Sequence, residues 1–239
     1  PFSSLADPPN EEIPITVDNF VRAASDFELG KYESLAGGVN RFLHFREPTP
    51  IAQQSTIRMN RDTLYSAAVV DISEGATVTL PDAGDRYMTL MVVNQDHFIN
   101  DVFSGGGSYT LEQSNYETPY VLVWARFLVD ATDAEDVDAV NELQDQMVIE
   151  AGSATPFVMP SYDEDQYRAM IAAILNFGPF IPDSSRMFGS KKEVDPVRHL
   201  IGTAAGYGGL PEREAYYVNI DPNLPVAEYM INVPANVPV

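Results

Sequence analysis

Thr77-Val78-Thr79-Leu80-Pro81-Asp82-Ala83-Gly84-Asp85-Arg86-Tyr87-Met88-Thr89-Leu90-Met91-Val92-Val93-Asn94 is where the architecture of this chain is first legible. Two runs rich in Val, Thr, Leu and Met flank a short segment in which proline fixes one φ and glycine frees another. That is strand, turn, strand. A parallel crossover needs about a dozen residues. A connection this short therefore predicts antiparallel neighbours.

The same texture spreads outward. Residues 64–72, 108–111 and 120–129 are again rich in Val, Tyr, Thr and Phe, with short polar or Gly-containing links. With 77–80 and 86–94 they predict one mostly antiparallel sheet system. On the N-terminal side, Pro8, Pro9 and Pro14 make residues 1–15 an extended arm. Thr16 is placed to cap a helix on which Phe20, Ala23, Ala24 and Phe27 recur at helical spacing. Beyond Asp130 helices return. Asp133 precedes Val137, Val140, Leu143 and Met147; Ser161 and Glu164 form a capping-box pattern before Tyr167, Met170, Ile171, Ile174 and Leu175; Gly178 suits the stop. Asp195-Pro196 sets a cap and an N1 proline before Val197, Leu200, Ile201 and Ala204. Gly206, Gly208 and Gly209 then break the chain, and 215–220 and 229–233 read as strands. The fold class is α+β, with a mainly antiparallel, sandwich-like β core and helices packed outside it.

Composition narrows the function. The 239 residues carry 14 basic against 35 acidic side chains, a formal charge of −21. Nucleic acid and anionic membranes repel such a field, because binding them takes clustered Lys and Arg. Only Lys191-Lys192 is a basic pair, and Glu193 follows it. The charge fits a salty or extracellular setting or cationic partners, and equally fits plain solubility. Cys is absent, which removes disulfides, thiolate nucleophiles and Cys-ligated zinc. No run of apolar residues is long enough to span a bilayer. Pro1-Phe2-Ser3-Ser4 has neither a basic nor an apolar region, so a signal peptide is expected to be absent or already removed.

Standard catalytic signatures are missing: no Gly-x-Ser-x-Gly, no His-Glu-x-x-His and no phosphate-cradling Gly-x-x-x-x-Gly-Lys. Gly105-Gly106-Gly107 reads as a plain loop, because strand rather than helix follows it. The acidic run Asp130, Asp133, Glu135, Asp136 and Asp138 suits a helix N-terminus, where carboxylates are favoured. Neither metal nor cofactor is expected. The informative stretch is Arg58-Met59-Asn60-Arg61-Asp62-Thr63-Leu64-Tyr65-Ser66, in which seven of nine residues are polar yet lead straight into apolar strand. Polar groups entering a core need partners. A hydrogen-bonded network is one reading; a turn capped by Asn60, Asp62 and Thr63 is the other. Asp96-His97 sets a carboxylate beside an imidazole at a strand end, although neighbours on an extended chain face opposite ways. Arg198-His199 is open to the same two readings. Trp124, the only tryptophan, reads as core.

These stretches also carry a likeness. Arg58 to Ser66, Leu80-Pro81-Asp82-Ala83-Gly84, Asn94-Gln95-Asp96-His97, Leu143-Gln144-Asp145 and the run from Asp195-Pro196-Val197-Arg198-His199 to Gly206 resemble bacterial DUF1254 proteins. Gly208-Gly209-Leu210-Pro211 through Tyr217 is similar to the entry of the companion DUF1214 region. The resemblance implies a β-rich unit over residues 1–190, and at 191–239 a helix and strands leading into a truncated DUF1214-like region. It implies a secreted, periplasmic or cell-envelope setting and homo-oligomers, and supplies no catalytic residues.

Two functions follow as expectations. The first is an acidic exported or envelope protein, non-enzymatic or of unassigned activity, that works as a homo-oligomeric assembly or binding protein. The second is a small-molecule, hydrolase-like enzyme using Asp62, Tyr65, Asp96 and His97 in one pocket, with Arg58, Asn60, Arg198 and His199 binding a small-molecule ligand. No membrane span and no nucleic acid are expected in either. The uncharged tail after Tyr229-Met230-Ile231-Asn232-Val233 leaves a strand unpaired, so chain beyond Val239 or a neighbouring copy is expected to complete the sheet.

Overall fold

The computed structural model describes residues 12–50, 59–215 and 217. In order they form α1 (Phe20–Ala36), β1 (Leu43–His44), β2 (Thr63–Asp71), β3 (Ala76–Leu80), β4 (Met88–Asn94), β5 (Ile99–Ser104), β6 (Gly107–Leu111), α2 (Gln113–Tyr116), β7 (Tyr120–Leu128), α3 (Ala134–Gln144), β8 (Val148–Ala151), α4 (Glu164–Leu175) and α5 (Pro196–Ala205). The strands make two antiparallel sheets, ordered β1-β2-β7-β4-β5 and β6-β3-β8. Sheets and helices together give the expected mixed α+β class.

The turn at Pro81–Asp85 corrects one expectation. It does not join neighbours in one sheet, because β3 and β4 belong to different sheets. The reason lies in burial. Strand β3 alternates buried and half-buried residues, so it has one wet face, whereas β2 and β4 are buried along their whole length. A strand buried on both faces needs cover on both sides. The five-stranded sheet accordingly sits in the middle, with the three-stranded sheet on one face and helices on the other. Leu64, Val70, Val78, Leu90, Leu111 and Phe127 fill the space between the sheets. Leu29, Tyr32, Tyr65, Met91 and Trp124 pack on the opposite face. There α1 meets α4 and α5 through Phe20, Ala23, Ile174 and Ile201.

Strands β1, β5 and β8 escaped the sequence reading, being short, polar or both. The glycine loop marks a corner, since β5 pairs with β4 while β6 pairs with β3. A Cβ on Gly106 would stand 2.4 Å from the Pro81 carbonyl oxygen, so only glycine fits where the chain changes sheets. Two helix starts also move. Asn19, not Thr16, is the cap of α1, and its Oδ1 accepts from the Thr16 N–H at 2.7 Å. Asp163, not Ser161, caps α4 by accepting from Gln166 N–H. Asp133 and Asp195 cap α3 and α5 as expected. Ile13, at the end of the expected arm, bridges to Tyr162. The strands expected at 215–220 and 229–233, the arm before residue 12, Arg58 and the chain end lie outside the described residues, apart from Ala215 and Tyr217. Among the described residues no helix is long and apolar enough to cross a membrane.

Candidate functional site

Alternation along β7 puts Tyr120, Leu122, Trp124, Arg126 and Leu128 on the helix-side face of the central sheet. Arg126 is the only charged residue of that strand. It lies directly opposite Tyr65 on β2 and Thr89 on β4, and it is only 8 % exposed. Its Nη2 donates to Gly208 O at 3.2 Å, its Nη1 approaches Met91 Sδ at 3.9 Å, and its Cζ stands 5.8 Å from the Tyr65 ring centre. Among the described residues no carboxylate forms an ion pair with it. A buried guanidinium without a counter-charge costs several kcal/mol in rough terms. Among the described residues, Thr63 Oγ1, Thr89 Oγ1 and Trp124 Nε1 are also buried without a hydrogen-bond partner. All three belong to positions of the same face by strand alternation. Each buried polar atom left unpaired costs about 1–3 kcal/mol.

A strap from Gly206 to Leu210 crosses this face after α5. Gly208 adopts a left-handed φ of 77°, and a Cβ there would meet Met91 Cε at 3.6 Å. Its two peptide groups point opposite ways: the carbonyl accepts from Arg126, and the N–H donates to His97 Nε2 at 2.9 Å. His97 Nε2 therefore carries no proton. The Nδ1 proton goes to Thr203 Oγ1 at 2.7 Å, and the Thr203 hydroxyl donates on to His199 O. His97 is fully buried, stacked on Tyr207 at 4.1 Å and on His199 at 5.2 Å. Burial pushes its pKa well below the ordinary 6.5, and the neighbouring His199 adds to the fall. A neutral ring with both nitrogens engaged has no lone pair free for a general base.

The other expected site residues are placed as follows. Asp96 turns outward to Arg22, whose Nε and Nη2 donate to it at 2.9 and 2.6 Å. His199 faces two carbonyls, with Nδ1 3.0 Å from Met187 O and Nε2 3.1 Å from Asp96 O, and so staples α5 to the β4–β5 turn. Arg198 reaches Asp183 Oδ1 at 2.8 Å and Ser185 O at 2.9 Å. The Asn60 backbone N–H donates to Tyr65 Oη at 2.9 Å. Asp62 is exposed, and its carbonyl accepts from Val129 N–H.

Tyr65 and Asn60 thus come together, as do Asp96, His97 and His199. One pocket combining Asp62 with His97 is not formed. Asp62 precedes Thr63, which pairs with the C-terminal end of β7, while His97 follows Asn94, which pairs near its N-terminal end. The length of β7 separates them, roughly 25 Å for a nine-residue strand.

Two groups went unread in the sequence. Arg126 had a signal: a lone charge in an apolar strand at core-facing parity. The second group had none, because its members come from three distant segments. Asp26, almost fully buried, accepts from Gln95 Nε2 at 3.1 Å and from Tyr162 Oη at 2.8 Å, and burial raises its pKa. Beside the strap, a cavity of about 90 Å³ is lined by Ser184, Ser185, Leu210 and Tyr217, among others. The Tyr217 hydroxyl accepts from Leu210 N–H at 2.6 Å, and its phenol, pushed up by burial, feels the Arg126 charge in the opposite sense. Among the described residues no group of His, Asp or Glu is arranged to hold a metal ion.

This architecture has a solved counterpart. The VPA0106 protein of Vibrio parahaemolyticus is similar in fold, at a TM-score of 0.58 and 16% identity over 83% of this chain and 69% of that one. A putative uncharacterized protein of Burkholderia cenocepacia aligns at a TM-score of 0.35 and 14% identity, over 80% of this chain and 48% of its own. No curated protein matches the chain. Residues 39–116, from the loop before β1 through α2, match the family model DUF1254, described as a protein of unknown function.

Proposed function

We propose that this chain is a binding protein for a small molecule, seated on the helix-side face of the central sheet around Arg126. The observation that carries the reading is that Arg126 is buried without a carboxylate partner among the described residues, on a sheet face where Thr63 Oγ1, Thr89 Oγ1 and Trp124 Nε1 are also buried and unpartnered. Native proteins rarely leave such atoms idle except where function needs them. The strap over the face supplies cover, and the outward rim of Tyr87 and Leu128 is exposed. A hydrolytic reading has less support, because His97 is neutral with both nitrogens engaged and Asp62 stands at the other end of the sheet. Export and self-assembly, implied by the family likeness, complete the reading, and the mass of the native particle in solution tests the latter.

Trp124 is the only tryptophan of the chain, so its emission reports directly on the site. A panel of small one-ring and short-chain organic compounds is titrated against the whole protein while Trp124 emission and the thermal midpoint are followed. Binding is expected as a saturable emission change with a raised midpoint. In Thr89→Val the same compounds should bind more weakly although the unliganded variant is as stable as the parent or about 1 kcal/mol more so, since an idle hydroxyl has been removed. Unchanged Trp124 emission across the panel would sink the reading.

A further inference from the structure

We infer that the group recognised around Arg126 is the carboxylate of an apolar acid, held by the Arg126 guanidinium with the Thr89 hydroxyl directly opposite it on β4; this rests on the small-molecule reading above. A guanidinium has five N–H groups and no acceptor, and an indole N–H only donates. Arg126 directs one N–H at Gly208 O and another at the weak acceptor Met91 Sδ, which leaves three. Trp124 Nε1–H is unpartnered. Tyr65 Oη already accepts from the Asn60 N–H, so its own hydrogen is left to give away. Both threonine hydroxyls can donate as well. Among the described residues the face therefore offers donors from four residue types and no ionised acceptor, and its complement is an oxyanion.

Charge and shape choose among oxyanions. One guanidinium balances one negative charge. A phosphate dianion would leave an uncompensated charge in a buried site, on a protein that already carries −21. The planar fork of arginine matches the planar carboxylate in a two-pronged pair. The surroundings are Tyr65, Met91, Trp124 and Leu210, all buried apolar or aromatic side chains of one cluster. They suit a hydrocarbon body behind the charged head, as small-molecule sites commonly combine mostly apolar walls with a few placed polar groups.

The test sets acids against their neutral twins. Benzoate, hexanoate, benzamide, hexanamide and inorganic phosphate are titrated against the whole chain, with Trp124 emission as the readout. The acids are expected to bind about ten- to a hundredfold more tightly than the amides, the range for hydrogen bonds to a charged group. Arg126→Gln should bring the acids down to the level of the amides, and Arg126→Lys, which keeps the charge and loses the fork, should fall between. The comparison of acid with amide in the unaltered protein needs no variant to fold. Amides binding as tightly as acids would overturn the carboxylate assignment and leave the small-molecule reading standing. Phosphate binding more tightly than either acid would overturn it too. If no probe changes the emission of the folded protein, the inference goes, and with it the reading on which it rests.

Discussion

Thr203 Oγ1 on one side and the Gly208 N–H on the other hold the His97 ring in a single tautomer, in the left-handed backbone conformation (φ 59°) that ends the β4 turn. This residue belongs to the cement between α5, the strap and the sheet, and its chemistry has a consequence for pH. Burial depresses the His97 pKa, and burial followed by the Arg46 charge takes His44 down to about 4. As pH falls below about 6.5 the unfolded chain takes up protons on both rings, and the folded chain does not. Stability from these groups is thus complete above that value and is lost progressively below it. The urea midpoint is expected to fall between about pH 7 and pH 5, before the carboxylates titrate. In His97→Gln the fall should shrink, while stability near neutral pH drops by about 1–3 kcal/mol because Thr203 and Gly208 lose well-placed partners. A variant whose midpoint follows the same pH curve as the parent would show that His97 is not the titrating group.

At the scale of elements, α5 links every part of the site region. Its N-terminus is held by Asp195, whose Oδ1 accepts from the Val197 and Arg198 N–H groups at 3.1 Å each, with Pro196 in the first turn. Its body carries His199 and Thr203, and its last residue, Ala205, leads straight into the strap. Asp195→Ala removes both cap bonds and is expected to cost about 1–2 kcal/mol. The loss should extend beyond the helix end: amide hydrogen exchange is expected to quicken at Thr203 and Gly208 as well as at Val197, because the helix positions both. Exchange quickened at the first turn alone would mean that the strap is held independently of α5. This part of the fold was legible, since Asp-Pro before an apolar helical pattern is a local signal. The partners of α5 were not, because the Met187 and Asp96 carbonyls that fix His199 are brought there by chain folding.

The whole molecule is dominated by charge. With 14 basic and 35 acidic side chains, most carboxylates have no cation to pair with. The ion pairs that do form, such as Arg168 with Glu164 and Asp165, are largely exposed, and exposed pairs contribute about 0–1 kcal/mol each. Self-repulsion should therefore outweigh attraction. Screening lengthens no contact but shortens the reach of repulsion, from roughly 30 Å at 0.01 M salt to about 3 Å at 1 M. The thermal midpoint is expected to rise with sodium chloride across that range. A midpoint that falls would mean that ion pairs, rather than repulsion, control stability at low salt.

By itself the sequence determined the residue types, the longer strand and helix segments and two of the helix caps, because alternation, turn chemistry and Asp capping act within a few residues. It could say that Arg126 shares a face with Trp124, since both sit on one strand two residues apart. Only the tertiary structure decided that β7 lies between β2 and β4, and so sets Tyr65 and Thr89 on either side of Arg126. The short link at Pro81–Asp85 suggested that β3 and β4 would pair. Burial decided otherwise: strands apolar on both faces went to the covered middle sheet, and β3, apolar on one face, went to the outer one. The same non-local pairing sent Asp62 and His97 to opposite ends of the sheet, a separation that no pattern along the chain records.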